Sequence, residues 1–194
     1  MSICLLFITD GRGYAERTLA SAAENLPPLD ACVIVDDTDH AMGFAGAIRA
    51  GWECVLRTDT DYVFHLEDDF TFNRPVPLAQ MRQTLEAKRN LAQVALKRQP
   101  WNAEERAAGG IVEQHPGDFQ EVRGLWTEHE RFFTTNPCLY PRWIVEKGWP
   151  QGPESEGRFT HRLRDEGLRF AFWGGKFAPP HVEHIGAERA GVGY

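Results

Sequence analysis

"YVFHLEDDFTF", residues 62–72, is an apolar run that delivers three consecutive acids, Glu67, Asp68 and Asp69. Residues 62–66 have the length and continuous apolarity of a strand buried on both faces, as in a parallel sheet covered by helices. The acids therefore leave the carboxyl end of a buried strand, which is where ligands collect in open α/β sheets.

The same pattern repeats outward from this segment. "ICLLFI" (3–8) reads as a strand that runs into Thr9, Asp10, Gly11 and Arg12. "YAERTLASAAENL" (14–26) then places Ala15, Leu19, Ala22, Ala23 and Leu26 on one helical face, and Pro27 and Pro28 stop it. "ACVIV" (31–35) is a strand closed by Asp36 and Asp37, after which Phe44, Ala47, Ile48 and Gly51 recur at helical spacing. "LAQMRQTLEAKRN" (78–90) reads as a helix, and "LAQVAL" (91–96) as a fourth strand. This alternation predicts an α/β fold, a mostly parallel sheet with helices on both faces. It also gathers Asp10, Asp36, Asp37, Glu67, Asp68 and Asp69 at one edge.

From about residue 98 the pattern loosens. "GGIVEQHPGDFQEVRG" (109–124) reads as a hairpin turning at Pro116 and Gly117. "ESEGRFTHRLRDEG" (154–167) reads as a helix capped by Ser155, with Phe159 and Leu163 facing inward and Gly167 ending it. "RFAFW" (169–173) is a further strand, and the Gly- and Pro-containing tail (179–194) argues against a long helix. Trp101, Trp126, Trp143 and Trp149 fall in this half, where each can serve core packing or stack on an acceptor ring. With no repeat or low-complexity linker, a single domain over residues 1–194 is expected, with one half about 1–97 and the other about 98–194.

A chain of 194 residues can bury a core without disulfides or metal staples. Its 21 basic and 28 acidic residues give a formal charge of -7, which offers no support for a nucleic-acid partner. Cys4, Cys32, Cys54 and Cys138 have no CxxC spacing, and with Cys4 and Cys32 inside strands they read as buried thiols in a reducing compartment. The N-terminal apolar stretch lacks a basic region and is too short for a signal or membrane span, so a cytoplasmic location is expected.

Two like charges about 4 Å apart repel by roughly 4 kcal/mol at an effective dielectric near 20. An ionised acid trio in a cleft therefore needs a counter-cation. Oxygen ligands suit Mg²⁺ or Mn²⁺, which bind a few carboxylates and complete their shell with waters and substrate phosphates. Such an ion would neutralise charge on a departing diphosphate. The bland alternative is an acidic turn at a strand end.

These residues carry a resemblance. "LLFITDGRGYAERTLASA", "VIVDDTDH", "GFAGAIRAGWE", "YVFHLEDDFTF" and "NPCLYPRWIVEKGWP", in that order, resemble the GT-A fold glycosyltransferases of the family 2 type. The likeness is densest over 3–75 and 134–170, and Glu67-Asp68-Asp69 stands where the family has its DXD motif. It implies transfer of a sugar from a nucleoside diphosphate donor to an unidentified acceptor, with Mn²⁺ or Mg²⁺ and inversion. It implies Asp69 as the direct metal ligand, Glu67 on metal or sugar, and Asp68 near the ribose or donor sugar. Glutamate in place of the first aspartate leaves open which acid reaches the ion.

By the same resemblance Thr9, Asp10 and Arg12 form the first nucleotide-contacting loop, Arg12 with a forked donor set suited to phosphate. Arg12 can equally pair with Asp10 or Asp37. Asp36 and Asp37 match base and ribose positions, or else a strand-ending turn. Gly43 and Gly46 open a helix near the nucleotide. His184 matches a C-terminal histidine that completes the metal shell, with His181 as its competitor. Glu156 matches the general base, or a first-turn acid favoured by the helix dipole. Ser155 departs from the family's acid pair, and Glu154 could substitute. A nucleotidyltransferase and a non-catalytic sugar-nucleotide or glycan binding module remain rival readings.

Overall fold

In the computed structural model, which describes residues 2–186, β1 (Ile3–Thr9), β2 (Ala31–Asp36), β3 (Tyr62–Glu67) and β5 (Leu91–Leu96) form where the apolar runs predict strands. Between them lie α1 (Ala15–Asn25), α2 (Gly43–Val55), the short β4 (Phe70–Phe72) and α3 (Leu78–Ala87). The second half adds α4 (Ala103–Ala108), α5 (Ile111–Gln114), β6 (Phe119–Val122), β7 (Trp126–His129), β8 (Cys138–Pro141) and α6 (Arg142–Val145). It ends with α7 (Ser155–Asp165), β9 (Arg169–Trp173) and β10 (Val182–His184). Residues 187–194 of the tail lie outside the described residues.

Eight strands form one sheet in the order β2-β1-β3-β8-β5-β9-β7-β6. β1 pairs parallel with β2 and β3, and β5 with β9, whereas β8 and β7 run against their neighbours. The sheet is thus mostly parallel in direction but mixed in pairing. β8, for which no strand is predicted, enters between β3 and β5, and β4 pairs antiparallel with β10 in a separate ribbon.

Strand alternation sends side chains to two cores. Val63 of β3 joins Trp52, Ile144, Trp149 and Phe159 on the face covered by α2, α6 and α7. Phe64 and Leu66 join Ala22, Met81 and Leu85 on the face covered by α1 and α3. α2 lies close because Gly51 has no side chain. A Cβ there would meet Leu6 Cδ1 at 2.6 Å.

Several expectations are corrected. Pro116 and Gly117 follow a helical turn, and the hairpin itself turns at Arg123 and Gly124, both at positive φ. Ser155 is the first helical residue of α7, its hydroxyl taken by Trp149 Nε1 at 2.9 Å, while Glu154 occupies the cap position in the left-handed region. Cys32 and Cys54 are exposed, because β2 is an edge strand and Cys54 lies on the outer side of α2; Cys4 and Cys138 are buried as expected. In α1 the buried residues are Thr18 and Ala22, and Leu19 is exposed. The tryptophans disperse: Trp126 and Trp149 are buried in different cores, and Trp143 is exposed. No helix of the described residues is long and apolar enough to cross a membrane.

The parallel half is tied to β8 by Arg142. Its guanidinium donates to the carbonyls of Leu56 (2.6 Å), Thr58 (2.6 Å) and Thr60 (3.4 Å), at the carboxyl end of α2 where the helix dipole favours a cation. Hydrogen bonds to charged groups contribute about 1.5–3 kcal/mol. Arg142→Ala is expected to lower the unfolding free energy by about 2 kcal/mol in urea titration, with an unchanged slope.

Candidate active site

The register of β1 on β3 pairs Ile8 with Glu67, so the loop after β1 meets the acids after β3. Thr9 Oγ1 donates to Asp68 Oδ2 at 2.7 Å, and the Asp10 amide donates to the same oxygen at 3.3 Å. Gly11 (φ +77°) lets this loop press on the one after β2, since a Cβ would lie 2.6 Å from Thr38 Cγ2.

Arg12 enters the middle of the acids. Its Nε donates to Asp10 Oδ1 at 2.6 Å, and Nη2 lies 2.9 Å from Asp69 Oδ2 and 3.5 Å from Asp68 Oδ1. Burial works against its charge, but Asp10, Asp69 and Asp68 outweigh that and hold its pKa above the ordinary value. Asp69, fully buried, is pushed up to about 7 by burial and by Glu67, with Arg12 pulling the other way. Burial also raises Asp68, against the Thr9 hydrogen bond.

The return of the chain explains the position of His184. In the β4–β10 ribbon His184 sits opposite Phe70, the residue after Asp69, and the Ile185 amide donates to the Asp69 carbonyl at 2.8 Å. His184 Nε2 is thereby 3.3 Å from Asp69 Oδ2. Gly186 permits this approach, because a Cβ there would lie 2.5 Å from that oxygen. Gln99 clamps the His184 backbone from both sides, Nε2 donating to its carbonyl and Oε1 accepting from its amide, each at 2.9 Å. Trp101 packs on the ring at 3.9 Å. Burial lowers the imidazole to about 4. His181 is turned away, its Nε2 3.2 Å from the Pro75 carbonyl.

Two cavities flank this centre. The smaller, about 190 Å³, is lined by Thr9, Asp10, Arg12, Asp37, Phe44 and Asp68 among others. The larger, about 410 Å³, is lined by Trp101, Phe132, Thr135, Glu156, Phe172 and His184 among others. Glu67 borders both. Gly43 lines the smaller cavity at the start of α2, whereas Gly46 does not. Asp37 is buried and accepts from the Met42 amide at 2.9 Å. Asp36 stays outside: it is exposed and accepts from the Thr38 amide and hydroxyl, which lower its pKa, as in an ordinary turn. Glu154 is exposed and lines neither cavity.

Glu156 faces the larger cavity from the first turn of α7. Its Oε1 accepts from the Thr135 amide at 2.9 Å, and burial raises its pKa to about 7 against that bond. Thr135, Gln99 and Trp101 support the site from loops with no motif. Trp101 alone is singled out by the sequence, and only as one tryptophan among several.

For a metal, the donor set of carboxylate oxygens and an uncharged imidazole suits Mn²⁺, and Asp69 Oδ1 and Glu67 Oε1 are buried without a hydrogen-bond partner. Among the described residues no group of three His, Cys, Asp or Glu converges to enclose an ion. An ion held here would have to complete its shell from ligand oxygens and water.

No family model and no curated protein matches the chain by sequence. Solved structures do. A crystal structure of S. aureus TarS in complex with UDP-GlcNAc matches with a TM-score of 0.64 and 13% identity, over 97% of this chain and 60% of that one. One of GalNAc-T7 with UDP, GalNAc and Mn²⁺ matches with a TM-score of 0.65 and 10% identity, over 95% and 44%. The chain has the GT-A glycosyltransferase fold, and it spans less than two thirds of the length of these similar structures.

The Glu156 shift has a consequence for stability. The ordinary value is 4.5, so the folded state holds the proton more tightly than the unfolded state and stability falls as pH rises from about 4.5 to about 7. Glu156→Gln, which cannot ionise, is expected to melt higher than wild type at pH 8. The gain, ~1–2 kcal/mol after discounting for partial exposure, should vanish near pH 4 in thermal melts.

Proposed function

We propose that this chain transfers a sugar from a nucleoside diphosphate sugar to an acceptor, with assistance from Mn²⁺ or Mg²⁺ and with inversion at the anomeric carbon. The observation that carries the reading is the meeting of two cavities at Glu67, one walled by the acid–arginine cluster and the other by a carboxyl near neutrality. The fold supports it, since TarS was solved with UDP-GlcNAc and GalNAc-T7 with UDP, GalNAc and Mn²⁺.

In this reading the donor nucleotide lies in the smaller cavity. Asp37 accepts from the nucleoside, Thr9 and Asp10 shape the loop, and Arg12 presents its fork to the diphosphate. Asp68 takes the ribose side and Glu67 the sugar side. Asp69 and His184, with Glu67 beside them, would hold the metal, which when bound supplies positive charge to the leaving diphosphate. The acceptor occupies the larger cavity, its ring against Trp101 or Phe172. As its hydroxyl oxygen bonds to the anomeric carbon, the bond from that carbon to the diphosphate oxygen breaks on the opposite face. Glu156 takes the hydroxyl proton.

A carboxylate base with a pKa near neutrality makes the rate rise with pH. Transfer or donor hydrolysis is expected to climb through pH 6–8 with an apparent pKa of about 7. Glu156→Gln should lose about 10²–10⁴-fold in kcat and flatten that limb.

The direct test measures transfer or hydrolysis across a panel of UDP-, GDP-, ADP- and dTDP-sugars with Mn²⁺ or Mg²⁺, and again with EDTA. Activity should require the metal and disappear in Asp69→Ala. Full metal-dependent activity in Asp69→Ala would contradict the assignment. Pyrophosphate release from a nucleoside triphosphate would replace it with nucleotidyl transfer, and donor binding without turnover with a binding module.

A further inference from the structure

Val63, His65 and Glu67 alternate onto one face of β3, and two of the three are polar. His65 is buried at 1% exposure against a core of Trp52 and Tyr140, which are equally buried. The cross-strand register puts Tyr140 of β8 opposite Val63, diagonal to His65. A histidine in such a place needs partners for both ring nitrogens.

One nitrogen has its partner. Trp52 Nε1 donates to Tyr140 Oη at 3.0 Å, and Tyr140 Oη lies 3.2 Å from His65 Nδ1. An indole can only donate, so the phenol oxygen accepts in the first contact, and among the described residues His65 Nδ1 is the acceptor within reach of the phenol's own proton. The arrangement that satisfies both groups puts the His65 proton on Nε2. That nitrogen faces Glu67 Oε1 at 3.7 Å, too long for a hydrogen bond. Both His65 Nε2 and Glu67 Oε1 are buried without any hydrogen-bond partner.

A chain that only satisfied the core would end in a closed bond. Here it ends in an aimed donor and an aimed acceptor separated by a gap that a small carboxylate movement closes. Contacts of this kind are commonly loose before ligand binds and tighten in the complex.

We propose that Trp52, Tyr140 and His65 form a buried relay that fixes the His65 proton on Nε2 and directs it at Glu67, making Tyr140 and His65 positioning residues for the carboxylate both cavities share. The relay holds Oε1 by an N–H donor and leaves the second oxygen for ligand. A histidine of the other tautomer would present a lone pair to the carboxylate and repel it. The importance of Glu67 to turnover rests on the proposed transferase reading. The hydrogen-bond relay does not.

The experiment therefore has two arms on the full chain. In ¹⁵N-histidine NMR, wild type should show His65 as the Nε2–H tautomer. Glu67→Gln should shift the Nε2 signal, and Tyr140→Phe should convert part or all of the population to Nδ1–H. An Nδ1–H wild type, or an Nε2 signal indifferent to Glu67→Gln, overturns the relay whatever the enzyme does.

In the kinetic arm, Tyr140→Phe and His65→Leu should lower kcat for donor hydrolysis about 10–100-fold while leaving KM for the donor nearly unchanged. His65→Gln, whose amide can still offer an N–H toward Glu67, should recover part of the loss. Equal losses in His65→Gln and His65→Leu, or losses confined to KM, would overturn the positioning role. If wild type turns over no donor, the transferase reading fails and the NMR arm decides the relay alone.

Discussion

The structure is organised around one guanidinium held among three carboxylates, two of them buried. Arg12 reaches Asp10, Asp68 and Asp69 at once, from a loop fixed by the β1–β3 register and by the Thr9 hydroxyl on Asp68. Removing ionised groups from water is expensive unless they are paired and hydrogen-bonded, so the acids and the arginine cannot be placed independently. The loop after β1, the end of β3 and the returning β10 are thereby fixed to the same point. Gly11 and Gly186 stand where those segments approach too closely for a side chain.

The arrangement of the two cavities follows from the period of a strand. Glu67 leaves β3 on the same face as Val63 and His65, toward α2 and α7, while Phe64 and Leu66 anchor the opposite core. α2 brings the walls of the smaller cavity to that face and α7 brings Glu156 to the larger one. Glu67 then lies between them without any further device. A one-residue slip of β3 would turn the acid toward Ala22, Met81 and Leu85 and empty both cavities of their shared group.

The parallel half was legible because each strand is a continuous apolar run and each helix follows at amphipathic spacing. The prediction of acids at strand ends holds for Asp10, Asp37, Glu67, Asp68 and Asp69. Asp36 also closes its strand, but Thr38 ties its carboxylate into a turn outside both cavities, one that the sequence "DDTD" contains in plain view. The insertion of β8 between β3 and β5 was illegible, since "CLYP" carries no sign of which strands it joins. The hairpin was displaced toward Gly124 because Pro116 and Gly117 give a strong turn signal that a helix end also uses. Gln99, Thr135 and the Trp52–Tyr140–His65 chain depend on contacts across the sheet, which no local pattern encodes.

Charge balance also sets what the corner could accommodate. Asp10, Glu67, Asp68 and Asp69 gather around a single arginine, with His184 beside Asp69 largely uncharged at neutral pH. Each unrelieved like-charge contact near 4 Å is worth roughly 4 kcal/mol at an effective dielectric of 20. The protein responds by raising Asp69 to about 7, so that a proton partly does the work of a counter-ion. A divalent cation at the unpartnered Oδ1 of Asp69 and at the Glu67 oxygen left for ligand would displace that proton and free Arg12 to meet a phosphate. Binding of metal and of diphosphate would then reinforce each other through the same carboxylates, because each supplies what the other's arrival leaves unbalanced.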